Sequence, residues 1–229
     1  MGFDAHFYEK CKERITDYMN FSITANNSYM LIMMIRDLQG NKNDILNISP
    51  GFYHMVSRNS MQALFVDISK MFDNDPKNMS IVWLLNSIKS HLDLLDNRAV
   101  NVSEYQHFND NAYVNISFNS LSELINHYAD SVEKSEHDIK SLTILRNKFY
   151  GHLDKSAQNH LDSLFKNNSV SLITLEKLLI LNINISNALY KYFNGSTFAP
   201  LDFNHNDLYR TISYIEKYKE LSEKYNDYL

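Results

Sequence analysis

Glycine and proline are scarce in this 229-residue chain, which contains five of the first and three of the second. That is far below their usual joint share of roughly 12%. Collagen-like and low-complexity classes are excluded, and many-stranded β architectures are disfavoured because tight turns between strands favour these two residues. The shortage therefore predicts a mostly helical protein.

Cysteine and long apolar runs are also lacking. The single cysteine, Cys11, has no intrachain disulfide partner, so nothing in the chain calls for an oxidising compartment. The N-terminus lacks a basic region followed by an apolar run, and the most apolar segment, residues 170–190, includes Glu176 and Lys177. We expect that segment to be a buried helix, and the protein to be cytoplasmic with no membrane partner.

Net charge and apolar content limit the ligands and the domain organisation that we expect. The formal net charge of −5 argues against a non-specific coat on nucleic acid, so any RNA contact has to be local. With 44% of its residues hydrophobic, the chain can bury a sizeable core. We expect residues 1–200 to form one helical bundle and residues 201–229 to add a C-terminal helix packed on the same domain.

Apolar spacing places the helices along the chain. Pro50 suits a first helical turn, and the stripe that follows it includes Phe52, Met55, Leu64 and Ile68 as core-facing residues. Residues 96–119 lose this periodicity and suggest a loop with a short irregular element at 113–118. The other predicted helices cover 4–39 (one or two helices, closed by Gly40), 80–95, 121–133, 139–149, 170–193 with a stop at Gly195, and an amphipathic helix over 208–225 whose stripe is Leu208, Ile212, Ile215, Tyr218, Leu221 and Tyr225.

The densest chemical signal lies between Leu145 and Lys155. It combines Arg146, a permanent cation, with the amide of Asn147 and the imidazole of His152, which titrates near neutral pH. Six residues place Arg146 and His152 about 120° apart on an unbroken helix, so they would not converge there. A helix end or kink at Gly151 would let His152 turn toward Arg146.

Two structural alternatives stay open at this point. Gly151 could be an ordinary helix C-cap with His152 beside the helix dipole, and Arg146 could be half of an ion pair. A weaker rival pattern, His137 and Asp138 with His127 upstream, is similar to metal-dependent HD phosphohydrolases but offers no fourth ligand. Arg58, Asn59 and Asp67 could line a cleft, form a solvated face of their helix or make a structural ion pair.

An Arg followed by a polar residue, with four to six residues before a His at a helix end, resembles the HEPN superfamily and especially its abortive-infection, AbiU-like branch. Here five residues separate Arg146 from His152. The resemblance is most specific over Leu142 to Lys155 and softer over Phe52 to Pro76. It implies an all-α, HEPN-like antiparallel helical bundle with an additional C-terminal helix.

The resemblance further implies a metal-independent endoribonuclease without a cofactor, in which two protomers bring their motifs together in one cleft. His152 would act as general base or acid, Arg146 would hold the scissile phosphate, and Asn147 would orient either of them. Lys148 and Lys155 would attract the RNA backbone. Some HEPN toxins carry a modified Tyr two residues after the His, but this chain has Asp154 there, so that mode of control is not implied.

The biological role implied by the resemblance is a toxin of a phage-defence or toxin–antitoxin system, acting on RNA as a homodimer. An antitoxin or a nucleotidyltransferase would be its partner. The alternative is a catalytically inactive HEPN-like module that binds nucleotides, RNA or a partner protein. A purely structural helical dimer is a third possibility.

Overall fold

The computed structural model describes residues 3–75, 77–78, 80–107, 113–147, 168–197 and 206–226. Helices dominate these ranges, which confirms the predicted fold class, and one small antiparallel hairpin accompanies them. In chain order the elements are α1 (Ala5–Asn41), α2 (Asn43–Leu46), α3 (Pro50–Met71), α4 (Ile81–Lys89), a 3-10 turn (Leu92–Leu94), β1 (Val100–Tyr105), β2 (Tyr113–Phe118), α5 (Leu121–Lys134), α6 (Glu136–Leu145), α7 (Leu172–Asn194) and α8 (Asn206–Asn226).

Local sequence signals account for many of the helix ends. Asp4 caps α1, because its Oδ1 accepts the N–H groups of His6 and Phe7 at 2.9 and 3.1 Å. Pro50 occupies the first turn of α3, as its spacing predicts. Gly195 closes α7 at a φ of 74°, a left-handed conformation that suits glycine, and its N–H donates to the carbonyl of Lys191.

The core lies where α1, α3 and α7 pack together, with α4, α5 and α6 completing the bundle. α7 is the central element: from Leu178 to Phe193 its residues are buried, apart from three half-buried ones, Leu181, Tyr190 and Lys191. Among the described helices, α7 has the length and composition of a membrane span, and 67% of its apolar window is buried inside the protein. Its burial agrees with the sequence prediction of a core helix.

Buried amide and hydroxyl groups join α1 to α7. Tyr18 donates its hydroxyl proton to Oδ1 of Asn182, and Nδ2 of Asn182 donates to Oγ of Ser22 at 2.9 Å. All three side chains are almost completely buried, and burial raises the pKa of Tyr18 well above its ordinary value. Because each polar group has a partner, the apolar helix carries its polar residues without leaving these groups unpaired.

The hairpin is a correction to the sequence analysis, which expects a loop with one irregular element over 96–119. β1 and β2 pair antiparallel, with Val100 opposite Phe118 and Tyr105 opposite Tyr113. Val100, Val102 and Phe118 are buried on one face. The amide of Asn184 fixes β1 to α7, since its Oδ1 accepts the N–H of Tyr105 and its Nδ2 donates to the same residue's carbonyl, at 2.9 and 3.0 Å.

Other helix bounds and faces also differ from the predictions. α1 continues through Gly40, and the predicted 80–95 helix ends at Lys89 before the 3-10 turn. Phe52 and Met55, predicted to face the core, are 54% and 52% exposed, while the neighbouring Tyr53 points inward. The first turns of α3 therefore bury a different face from the one that the spacing predicts.

α8 packs on the end of the bundle formed by α1, α2 and the start of α3. Ile212 is completely buried against Leu38, Ile45 and Leu46. Lys42 pairs with Glu216 at 2.9 Å and Lys219 with Asp44 at 2.8 Å, which hold the middle of the helix in place. The predicted apolar stripe of α8 is only half correct. Leu208, Ile212 and Ile215 face the bundle, whereas Tyr218, Leu221 and Tyr225 face solvent.

The division of the chain into residues 1–200 and 201–229 stays a prediction.

Candidate functional site

Arg146 lies immediately after α6, where residues 146–147 form a π-helical turn. Leu142 and Leu145 are buried and anchor the end of α6 in the core beside α3. The Arg146 side chain is 18% exposed, so its stem is packed and its position is defined. Single π-helical turns occur frequently at functional sites. The anchoring of α6 thus sets the place of the candidate catalytic cation.

Two side chains hold the guanidinium of Arg146. Its Nε donates to Oδ1 of Asn147 at 2.9 Å, and one terminal nitrogen donates to Oδ2 of Asp73 at 3.2 Å. These contacts use two of the five N–H donors of an arginine. In the described part of the chain the remaining three have no protein acceptor, and they can take a phosphate oxygen.

Asp73, just beyond the end of α3, is itself fixed by its own loop. Its Oδ1 accepts the N–H of Asp75 at 3.0 Å, and its Oδ2 accepts Nδ2 of Asn78 at 3.2 Å. Burial works to raise the pKa of the Asp73 carboxyl, but the Asp75 N–H and the Arg146 guanidinium outweigh it, so the pKa lies below its ordinary value. Asp73 is therefore ionised at neutral pH and holds Arg146 as a charged partner.

Two cavities flank this ion pair. A cleft of about 630 Å³ lies among α3, α6 and the start of α7, where Leu145, Phe65 and Leu175 contribute to its wall. No charged side chain lines it among the described residues. A smaller cavity of about 260 Å³ lies on the Asp73 side and is lined by Asn78 and Lys70 together with Asp17, Tyr18 and Phe21.

Two of the predicted site residues lie in the described part of the chain. Arg146 and Asn147 are in contact, and the orienting role of Asn147 stays a prediction. Arg146 is also half of an ion pair, the open structural alternative. The pair is compatible with a functional role because three N–H donors of the guanidinium have no acceptor in the part of the chain that the structure describes. Lys148, Gly151, His152 and Lys155 lie outside the described residues, so the convergence of His152 on Arg146 stays a prediction.

The histidines of the rival HD-type pattern lie in the described part of the chain. His127 contacts Oε1 of Glu104 at 3.3 Å, and His137 is a surface residue beside Asp138 at 3.6 Å. Within the described ranges, no three His, Cys, Asp or Glu side chains come together as a metal site would require. The HD-type interpretation is therefore wrong for these residues.

The polar residues of α3 do not converge on one surface. Arg58 and Asn59 lie on an exposed face. Asp67 is half-buried; burial raises the pKa of its carboxyl, and Lys70 acts in the opposite direction.

Asp73 and Asn78 are the site residues that sequence reasoning misses. In the sequence, these residues lie within or just beyond the segment from Phe52 to Pro76, which carries only the softer part of the HEPN resemblance. Asp73 and Arg146 are 73 residues apart in the chain. No local sequence pattern predicts that the end of α3 contacts the end of α6. Only the three-dimensional packing of those helices brings the carboxylate to the guanidinium.

A mostly helical bundle is the fold that the HEPN resemblance implies. The family model HEPN_AbiU2 (AbiU2) matches residues 8–221, nearly the whole chain. The chain belongs to this family of HEPN proteins. The comparison with curated proteins and the comparison with solved structures each returned no match.

The Asp73–Arg146 pair predicts a pH-dependent contribution to stability. Because the pKa of Asp73 is lowered in the folded state, its contribution is fully present above the ordinary aspartate pKa of about 3.9 and is lost as the pH falls through the lower folded value. Asp73→Asn should cost about 1 kcal/mol at pH 7, discounted for partial exposure, which corresponds to a fall in Tm of roughly 2–4 °C.

Thermal unfolding of wild type and Asp73→Asn from pH 3 to pH 7 measures this effect. We expect the difference in Tm to be constant near neutral pH and to shrink below about pH 4. Asp44→Asn, which removes a more exposed carboxylate paired with Lys219, is the matched control and should give a smaller difference. Equal differences for the two variants at pH 7 would contradict the assigned role of Asp73.

Proposed function

We propose that this protein is a metal-independent endoribonuclease toxin of a phage-defence or toxin–antitoxin system, acting as a homodimer in the cytoplasm. Two findings support the proposal. The family of the chain is a HEPN family associated with abortive infection. Arg146, the first residue of the motif, is held by Asp73 and Asn147, and among the described residues no acceptor takes its other N–H donors; this observation carries the proposal.

Arg146 is suited to bind the scissile phosphate. A planar guanidinium presents parallel N–H donors to two phosphate oxygens, and donors fixed in advance need no reorganisation when charge develops on those oxygens. Asp73 and Asn147 restrain the side chain from two directions. They therefore act as positioning residues for Arg146 in this mechanism.

His152 supplies the proton transfers in the proposed reaction. As general base it takes the proton of the ribose 2′-hydroxyl, and the 2′-oxygen forms a bond to phosphorus while the bond from phosphorus to the 5′-oxygen breaks. The leaving 5′-oxygen receives a proton, from the same imidazole or from its counterpart in the second protomer. The products are a 2′,3′-cyclic phosphate and a 5′-hydroxyl, and neither water nor a metal ion is consumed.

Cations near this site would attract the RNA backbone to it. Lys148 and Lys155 flank the motif, and residues 134–166 contain six Lys or Arg against four Asp or Glu in an otherwise acidic chain. Lys70 adds a cation in the cavity beside Asp73. Local positive charge of this kind attracts the phosphate backbone without a general affinity for nucleic acid.

Incubation of the purified full chain with total RNA in the presence of EDTA tests the proposal, with His152→Ala as the inactive comparison. We expect wild type to fragment the RNA and His152→Ala to be about 10²- to 10⁴-fold slower, the usual contribution of a general acid–base. Expression toxicity in bacteria should disappear with the same substitution. If both proteins are folded dimers and leave the RNA equally intact, the ribonuclease proposal is wrong and the inactive binding module takes its place.

A further inference from the structure

The outward face of α8 carries large apolar side chains that the bundle does not use. Tyr214, Tyr218, Leu221 and Tyr225 are 65%, 75%, 52% and 61% exposed. Their spacing of four, three and four residues puts them in one stripe about 17 Å long, on the side of the helix opposite Ile212. At about 200 Å² per side chain, the three tyrosines alone expose roughly 400 Å², an area that often marks an interaction site on a single chain.

A row of cations borders this outer stripe on one side. Arg210, Lys217 and Lys224 follow each other at intervals of seven residues, so they share one line about 70° around the helix from the stripe. All three are exposed, and none takes part in an ion pair within the described residues. In contrast, Glu216 and Lys219 on the inner side are paired with Lys42 and Asp44 of the bundle.

An apolar stripe flanked by a regular row of like charges is the pattern by which one helix recognises another. Apolar residues at spacings of three and four form the seam, and the flanking charges select a partner of opposite sign. We propose that the outer face of α8 is a docking surface for an amphipathic helix of a different protein, whose apolar stripe is flanked by Asp or Glu. This surface is independent of the ribonuclease proposal, because α8 packs at the α2 end of α3 whereas Asp73 and Arg146 lie at the other end.

Charge favours an acidic partner helix over the two other possible occupants of this surface, a second copy of the chain and RNA. In an antiparallel pair of α8 helices from two copies, the cationic rows would face each other and repel, and in a parallel pair they would meet Ile215 and Ser222, which carry no charge. RNA is disfavoured because α8 has four acidic and four basic residues over 206–226, with Glu220 beside the cationic row. An acidic row on a partner helix matches these three exposed cations.

Two fluorescent peptides test the proposal against the full chain by anisotropy in 0.1 M salt. Both peptides are three-heptad helices with Leu at the seam positions; one has Glu at the flanking positions and its twin has Lys. We expect the acidic peptide to bind at least tenfold more tightly than its basic twin. Tyr218→Ser with Leu221→Ser should weaken that binding at least tenfold, since both residues are exposed and contribute nothing to the core.

Charge variants sharpen the test. Reversal of the row (Arg210→Glu, Lys217→Glu and Lys224→Glu) should invert the preference for the two peptides, and neutralisation of the same residues to Gln should abolish it. The Gln variant keeps the test valid if the reversed helix unfolds, as checked by circular dichroism. The matched control reverses three exposed lysines elsewhere, Lys10, Lys89 and Lys134, and should leave the preference unchanged.

Three results would overturn the proposal. The first is equal binding of both peptides, or no binding of either at 100 µM peptide. The second is a larger species of the chain alone in light scattering that disappears in the Tyr218→Ser, Leu221→Ser variant, which would make a second copy the occupant. The third is tighter binding of a single-stranded RNA oligonucleotide than of the acidic peptide, lost in the Gln variant.

Discussion

Arg146→Ala should slow RNA cleavage by about 10²- to 10³-fold, the cost of removing a preorganised donor to a developing oxyanion. Arg146→Lys should recover less than a tenth of the wild-type rate. A lysine keeps the charge but lacks the planar fork, so it cannot hold Asp73, Asn147 and a phosphate at once. Initial rates on a labelled RNA in EDTA measure both variants.

Arg58→Ala is the matched control for this prediction, because Arg58 is an exposed arginine on α3 that the site does not use. It should cleave RNA at the wild-type rate. Full activity in Arg146→Ala, with folding verified by thermal unfolding, would show that the motif arginine serves only the ion pair with Asp73.

Asn182→Ala should give the largest loss of stability among the substitutions discussed. It leaves the buried hydroxyl of Tyr18 without its amide acceptor and Ser22 without its amide donor. Tyr18 can still donate to the carbonyl of Met71 at 3.5 Å, and Ser22 to the carbonyl of Tyr18 at 3.1 Å. Each lost hydrogen bond costs about 0.5–1.5 kcal/mol, so we expect a loss of about 2 kcal/mol and a fall in Tm of roughly 4–8 °C. Differential scanning calorimetry provides the measurement.

Asn20→Ala controls for the chemistry of that substitution, since Asn20 is exposed on the same helix as Tyr18 and Ser22. Its effect should stay within about 0.5 kcal/mol. If the two variants melted together, the Tyr18, Asn182 and Ser22 contacts would not contribute to the joining of α1 and α7.

Helix placement could be predicted from the sequence because its signals are local. The position of Pro50, the stop at Gly195 and the apolar composition of α7 each depend on a few neighbouring residues, and all three agree with the structure. The hairpin could not be predicted in the same way. Val100 and Val102 alternate over too short a run, and their pairing with β2 depends on contact with α7 through Asn184.

Apolar spacing alone also failed on one face of each of two helices. Phe52 and Tyr218 continue the apolar stripes of α3 and α8, but each lies on a face that the bundle does not cover. Periodicity states which residues share a face and not whether another element covers that face. The same limit applies to the site: the motif points to Arg146, whereas Asp73 reaches it only through the packing of α3 beside α6.

The chemistry of the cut ends distinguishes attack by the RNA's own 2′-hydroxyl from other routes of cleavage. An RNA oligonucleotide and its fully 2′-deoxy counterpart are incubated with the full chain in EDTA, and the fragments are analysed by mass spectrometry. The proposed mechanism predicts that the RNA is cut to 2′,3′-cyclic phosphate and 5′-hydroxyl ends while the 2′-deoxy strand stays intact, since no 2′-hydroxyl is present to attack phosphorus. Cleavage of both strands, or fragments with 3′-hydroxyl and 5′-phosphate ends, would contradict it.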